Sequence, residues 1–372
     1  MDGRANVRDR RGLVTCAVAL ALVLGGTTAA AGSGTSTSSD DENSYKLTRL
    51  VSDRTGVAEH QDPNLVNAWG LVAGPSTPWW VANNGTDTST LYDGAGNPIP
   101  LVVKVAGAPT GTVFNGGSGF VVSHEGASGP SLFLFATENG TIRGWSPAVP
   151  PPAPSGQSFK VVDRSGRGAI YKGLAIASTP SGDRLYATDF HNARVDVFDE
   201  SFNLVTMAGA FRDPELPSGY APFGIQAIRG NIFVTYAKQD ADAEDDVAGA
   251  GFGFVDRYSK QGELLQRVAS RDVLDAPWGL AMAPDRFGEF GGDLLVGNFG
   301  DGTINAFQRE SDGDFEFDGT LQRRNGTVMS IQGLWALRFG NGDAAGARTS
   351  LFFTAGPNDE QHGLFGKIEA QS

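Results

Sequence analysis

The stretch PWGLAMAPDRFGEFGGDLLVGNFGDGTINAF, residues 277–307, reads as three strands and two reversals. Gly279-Leu280-Ala281 opens a short apolar strand, and a more apolar one follows over 294–298. Asp301-Gly302 then supplies the pair that a tight hairpin needs for positive φ, and residues 303–307 run back as a third strand. A fourth is predicted at 317–321. Short apolar runs divided by turn residues at this spacing describe an antiparallel sheet, not helices.

The same series recurs through the chain. A glycine leads a short apolar strand at Gly70-Leu71-Val72, Gly119-Phe120-Val121, Gly173-Leu174-Ala175, Gly224-Ile225-Gln226 and Gly333-Leu334-Trp335, as at Gly279. The successive glycine spacings are 49, 54, 51, 55 and 54 residues. Six units of about fifty residues predict an all-β chain folded as a six-bladed β-propeller with four-stranded blades. Fourth strands are predicted at 101–105, 159–162, 204–207, 264–269 and 317–321. The sixth unit has none, and an unpaired apolar strand at 46–51 precedes the first. That N-terminal strand is expected to complete the last blade and close the ring, leaving no long edge exposed.

Residues 1–31 are of different material. Arg4, Arg8, Arg10 and Arg11 precede a 12-residue apolar run, and Ala29-Ala30-Ala31 offers a small-residue cleavage site. This is the pattern of a signal peptide, too short to span a bilayer as a helix. Residues 32–44 read as a polar linker and 45–372 as a single domain. The one cysteine, Cys16, lies in the export segment, so the mature chain would hold no disulfide. Cleavage would take four arginines and two aspartates from a chain of net charge −13, leaving 25 basic against 40 acidic residues. An acidic field of this size disfavours nucleic acid. The expected product is an exported monomer, secreted or periplasmic, with no membrane span and an extracellular ligand or protein as partner.

Gly173-Leu174-Ala175, followed by 186–192 (YATDFHN) and 195–199 (VDVFD), resembles the NHL-type propeller repeat. More narrowly, the chain resembles a family of uncharacterised exported proteins, mostly bacterial, some with a C-terminal PEP-type sorting tail. The stretches that carry this are 62–71 (DPNLVNAWGL), 171–175 (YKGLA), 276–281 (APWGLA), 294–302 (LLVGNFGDG) and 352–357 (FFTAGP). The resemblance implies a propeller and export, and brings no activity. Nothing apolar follows Ile368, so release is expected in place of anchoring.

Residues just before the glycine-led strands should share one rim of the central channel. They are Asn67 and Trp69, Asn115, Tyr171 and Lys172, Phe223, Trp278, and Gln332. Rings beside amides suit a glycan or peptide, since rings supply apolar area and amides fix orientation; the same rings also suit packing between blades. A divalent-metal site for lactone or ester hydrolysis would need carboxylates there, and the inferred rim offers amides and one lysine. Glu138, Asp189 and Asn298, after second strands, read as turn residues. Asp240, Asp242 and Glu244, with Asp245 and Asp246, crowd one insert that reads as a solvated loop or a weak Ca²⁺ site; glycine is missing where a calcium loop turns. The histidines are scattered and no nucleophile elbow exists. The favoured reading is therefore a non-catalytic binding module without a cofactor. The alternative, by analogy of fold, is a divalent-metal-dependent lactonase or esterase of the gluconolactonase-like type.

Overall fold

The computed structural model describes residues 43–371. The expected signal peptide, and the linker up to residue 42, lie outside the described residues. Asn43 and Ser44 belong to the fold: the Asn43 amide donates to Thr320 O (3.1 Å) and its Oδ1 accepts from Gln322 N (2.9 Å).

Six sheets, antiparallel except where the two-residue strand His60–Gln61 pairs parallel with Tyr45–Ser52 at one outer edge, surround a central channel, each inner strand lying beside the inner strands of both neighbouring blades. Blade 1 runs outward through Ala68–Val72, Trp79–Asn83, Thr88–Tyr92 and Pro98–Lys104. Blade 4 runs through Tyr220–Ile228, Asn231–Lys238, Gly253–Tyr258 and Leu264–Ser270, and blade 5 through Pro277–Met282, Leu294–Asn298, Ile304–Arg309 and Phe315–Thr320. Blade 6 comprises Leu334–Phe339, Leu351–Ala355 and Leu364–Ala370, and its outer strand is Tyr45–Ser52, antiparallel to Leu364–Ala370. The N-terminal strand thus closes the ring. The Tyr45 hydroxyl anchors it to blade 5 by donating to Phe287 O (2.9 Å) while its ring packs on Phe287 and Phe290.

Glycine in the inner strands is set by close approach. A Cβ on Gly224 would collide with Trp278 O of the next inner strand, and one on Gly279 with Trp335 O. Six inner strands can meet around a narrow axis only where one residue in each is glycine or, once, alanine. Aromatic pairs fill the wedges further out, as where Trp80 stacks on Phe133 at 4.1 Å between blades 1 and 2.

Three expectations need correction. The inner strand of blade 2 is Pro109–Phe114, not the segment at Gly119; residues 121–130 form a separate hairpin inserted before the second strand, Phe133–Thr137. In blade 6 the strand begins at Leu334, and Gly333 (φ 66°) is a turn residue before it; Ala336 fills the place of the close-approach glycine. Blade 3 (Tyr171–Thr179, Gly182–Asp189, Arg194–Phe198) is three-stranded, since the predicted strand at 204–207 makes a single bridge, Phe198 to Leu204.

Candidate functional site at the leading mouth of the channel

Inner strands begin at one end of the channel, here the leading mouth, and the loops between second and third strands reach the same end. The residue before the close-approach position is Trp69, Thr110, Lys172, Phe223, Trp278 and Trp335 in blades 1 to 6. Four of these are aromatic, and they meet on the axis. Trp335 stacks on Trp69 (3.5 Å between centroids) and on Phe299 (4.0 Å), while Trp278 and Phe223 meet both Trp69 and Trp335 edge-on. Trp69, Phe223 and Trp335 are at most 2 % exposed. The rings fill the channel as a plug and do not line a cavity.

A polar network lies over the plug, built from five blades. Trp335 Nε1 donates to Asn67 Oδ1 (3.0 Å), and the Asn67 amide donates to Glu360 (2.5 Å) and Asn84 (3.2 Å). Asn84 donates to Glu138 (2.8 Å), which also receives Lys172 Nζ (2.5 Å); Lys172 reaches Asp245 on its other side (2.7 Å). The ammonium lies 5.3 Å from the Trp69 ring centroid, and Trp278 Nε1 donates to the Lys172 carbonyl (3.1 Å). Burial alone would lower the Lys172 pKa; Glu138 and Asp245 more than reverse this and hold it above its ordinary value.

Four carboxylates surround that single ammonium. Burial pushes Glu360 above the usual carboxylate range, with Glu138 and Asp245 adding to the rise against Asn67 and Lys172. Asp246 is pushed up to about 7 by burial, opposed by Lys172 and reinforced by Glu360 and Asp245. Its Oδ2 is buried and accepts no hydrogen bond among the described residues. Glu360 ends a run of three left-handed residues, Asn358 (φ 59°), Asp359 (51°) and Glu360 (62°). Such a run of non-glycine residues costs about 1–2 kcal/mol per residue, and here it carries a carboxylate to the mouth.

The structure brings Asn67, Trp69, Lys172, Phe223 and Trp278 together as the sequence reading expected, and separates the others. Asn115 follows the end of its inner strand and so lies at the opposite end, where its amide donates to Gly119 O (3.1 Å) and Ser131 O (2.9 Å). The Tyr171 hydroxyl turns into the blade and donates to Asp196 (2.8 Å). Gln332 is exposed and lines a side cavity with His362, whose Nδ1 contacts Asp53 (2.7 Å). In the acidic insert, Asp240 accepts from Glu244 N (2.9 Å), and Asp242 and Glu244 are exposed. Among the described residues, no group of three His, Cys, Asp or Glu side chains is placed to hold a metal ion. The inference that the rim lacks carboxylates is overturned by Glu138, Asp245, Asp246 and Glu360. Asn298 does brace its turn, donating to Val273 O (2.8 Å) and Asp301 (3.1 Å).

The chain is similar to an uncharacterised protein of Acanthamoeba polyphaga mimivirus, with 34 % identity over 337 residues covering 87 % of this chain and 80 % of the other. No family model matches. A Bacteroides thetaiotaomicron protein of unknown function superposes with a TM-score of 0.54 at 11 % identity, over 88 % of this chain and 76 % of that one. A glucose dehydrogenase superposes at 0.51 with 12 % identity, over 88 % and 100 %. At these identities both structures attest the propeller fold alone.

Proposed function

We propose, for a chain that belongs to the family of that uncharacterised mimivirus protein, a non-catalytic binding function in which the leading mouth receives a cationic group of a peptide or protein partner. The observation that carries this is the buried Asp246 carboxyl oxygen without a donor, among four carboxylates that share one lysine. A lysine or arginine side chain from a partner would supply the missing charge at the exposed Asp245 and, by opening the loop that carries it, a donor for the neighbouring Asp246. The plug supports a surface contact over a buried small molecule, because the rings occupy the space such a molecule would need. Export through residues 1–31 is part of the proposal and places the partner outside the cytoplasm.

The test is a peptide array in which each position is in turn lysine, arginine or norleucine, probed with the wild-type chain and the Asp246→Asn/Glu360→Gln double variant, beside a glycan array. Preference for cationic positions, lost in the variant, is the expected result. Equal binding by the variant, or binding to glycans alone, overturns the reading.

The metal-dependent hydrolase alternative has one observation in its favour, the carboxylates now found at the mouth. Glu138 and Asp245 would be the first candidates to hold a hard cation, and Lys172 Nζ already lies between them. Metal analysis of the purified protein, with a lactone and ester screen after addition of Ca²⁺ and Mn²⁺, separates the two readings. Bound metal together with turnover would put hydrolysis first.

A further inference from the structure

Below the plug the channel is nearly closed, with a gap of about 20 Å³ beneath Trp278. It then widens at the trailing end, where the inner strands finish, into a funnel of about 370 Å³. That volume is within the range of small-ligand pockets. The walls are apolar, from Val72, Val113, Phe114 and Ile176, and Arg338 and Gln226 line both the funnel and the gap above it. Asn341, also at the funnel, is already engaged, donating to Gly74 O (2.8 Å) and Thr77 O (2.9 Å).

Guanidiniums partly inside the fold are met in different ways: Arg143 donates to Ser158 Oγ (3.0 Å) and Ser158 O (2.7 Å). Arg164, Arg194 and Arg267 each meet an aspartate. Arg338 donates from Nε to Leu71 O (3.2 Å), and among the described residues no carboxylate pairs with it. Its surroundings desolvate it, and that alone pushes its pKa down to about 10. In a chain with 42 acidic residues, an unpaired cation inside a channel leaves a place for an anion from elsewhere.

We propose that the trailing funnel binds a small monoanionic ligand with an apolar body, its carboxylate paired with the Arg338 guanidinium and its body against Val72, Val113, Phe114 and Ile176. The planar fork of arginine matches a carboxylate. One positive charge balances one negative charge; a phosphate dianion would remain half-compensated against apolar walls. The site is independent of the leading mouth, since the plug lies between them.

The test is calorimetric titration of the full chain with octanoate, octanamide and octyl phosphate. Octanoate should bind at least about tenfold more tightly than octanamide, a charge-assisted margin. Arg338→Met should erase that margin, while Asp246→Asn, at the other mouth, should leave it intact. Ala227→Phe, which narrows the funnel and keeps the guanidinium, should weaken octanoate and serves if the arginine variant does not fold. Three results would overturn the proposal: no saturable octanoate binding, unchanged binding in the Arg338→Met or Ala227→Phe variant, or octyl phosphate outranking octanoate.

Discussion

Replacing Asp246 with asparagine should stabilise the protein at alkaline pH and do nothing at acid pH. Burial, with Glu360 and Asp245 adding to it and Lys172 opposing it, raises the carboxyl from an ordinary 3.8 to about 7. A raised folded-state pKa means that the stability linked to the protonated form is fully present below the unfolded value and lost as pH rises through the folded one. A shift of roughly three units, at about 1.4 kcal/mol each, corresponds to about 4 kcal/mol between the two limits. Asparagine keeps the shape of the protonated acid and cannot ionise. The variant should therefore match wild type near pH 4, gain on it by at most about 1.4 kcal/mol per pH unit up to pH 7, and hold a constant lead above pH 8. Urea unfolding at one-unit pH steps measures this directly. A pH-independent difference, or a variant less stable than wild type at pH 8, would refute the assignment of a strained buried carboxylate at this mouth.

Other perturbations test the rest of the scaffold. Lys172→Met removes the one ammonium between Glu138 and Asp245; discounting for the 73 % exposure of Asp245, it should cost about 2–3 kcal/mol at pH 7. The cost should shrink as pH falls in the same urea titration, because Asp246 and Glu360, both raised, take up protons and leave less negative charge uncompensated. Gly224→Ala drives a Cβ into Trp278 O and should destabilise by about 2–3 kcal/mol through overpacking, read as a lowered urea midpoint. Deleting residues 1–52 leaves Leu364–Ala370 as an open edge and should produce concentration-dependent self-association in sedimentation velocity, absent from the full chain.

The propeller was legible because ring closure leaves a local mark, a glycine or alanine where adjacent inner strands touch. It was misread where another segment carried the same mark. Pro109–Phe114 reads PTGTVF, and its threonines are not apolar punctuation: Thr110 donates to Tyr171 O (2.7 Å) and Thr112 to Leu134 O (3.1 Å). Gly119-Phe120-Val121 imitates an inner strand because Phe120 is buried in the core between blades 2 and 3, against Phe202. The carboxylates of the mouth come from loops up to 222 residues apart in sequence, Glu138 and Glu360, so no spacing could reveal them. Lys172 was the available signal. A lysine at a repeat position where other blades place tryptophan or phenylalanine is buried by the fold, and a buried ammonium requires carboxylates from elsewhere.

The asymmetry of the inner ring accounts for the chemistry above it. Were all six positions aromatic, the plug would present a uniform apolar floor and the loops over it would have no reason to carry charge. Blades 2 and 3 instead contribute Thr110 and Lys172. The ammonium stands at the edge of the stacked rings, and the carboxylates gather around it from blades 2, 4 and 6. One lysine cannot neutralise four acids, and while Asp245 stays open to solvent, Asp246 and Glu360 are buried and poorly screened. Burial raises Asp246 and Glu360, the neighbouring carboxylates add to the rise, and Glu360 is carried on a run of left-handed backbone. Four carboxyls from three blades set against one ammonium leave room for a second positive charge at this mouth, and that is the physical argument for a cationic partner there.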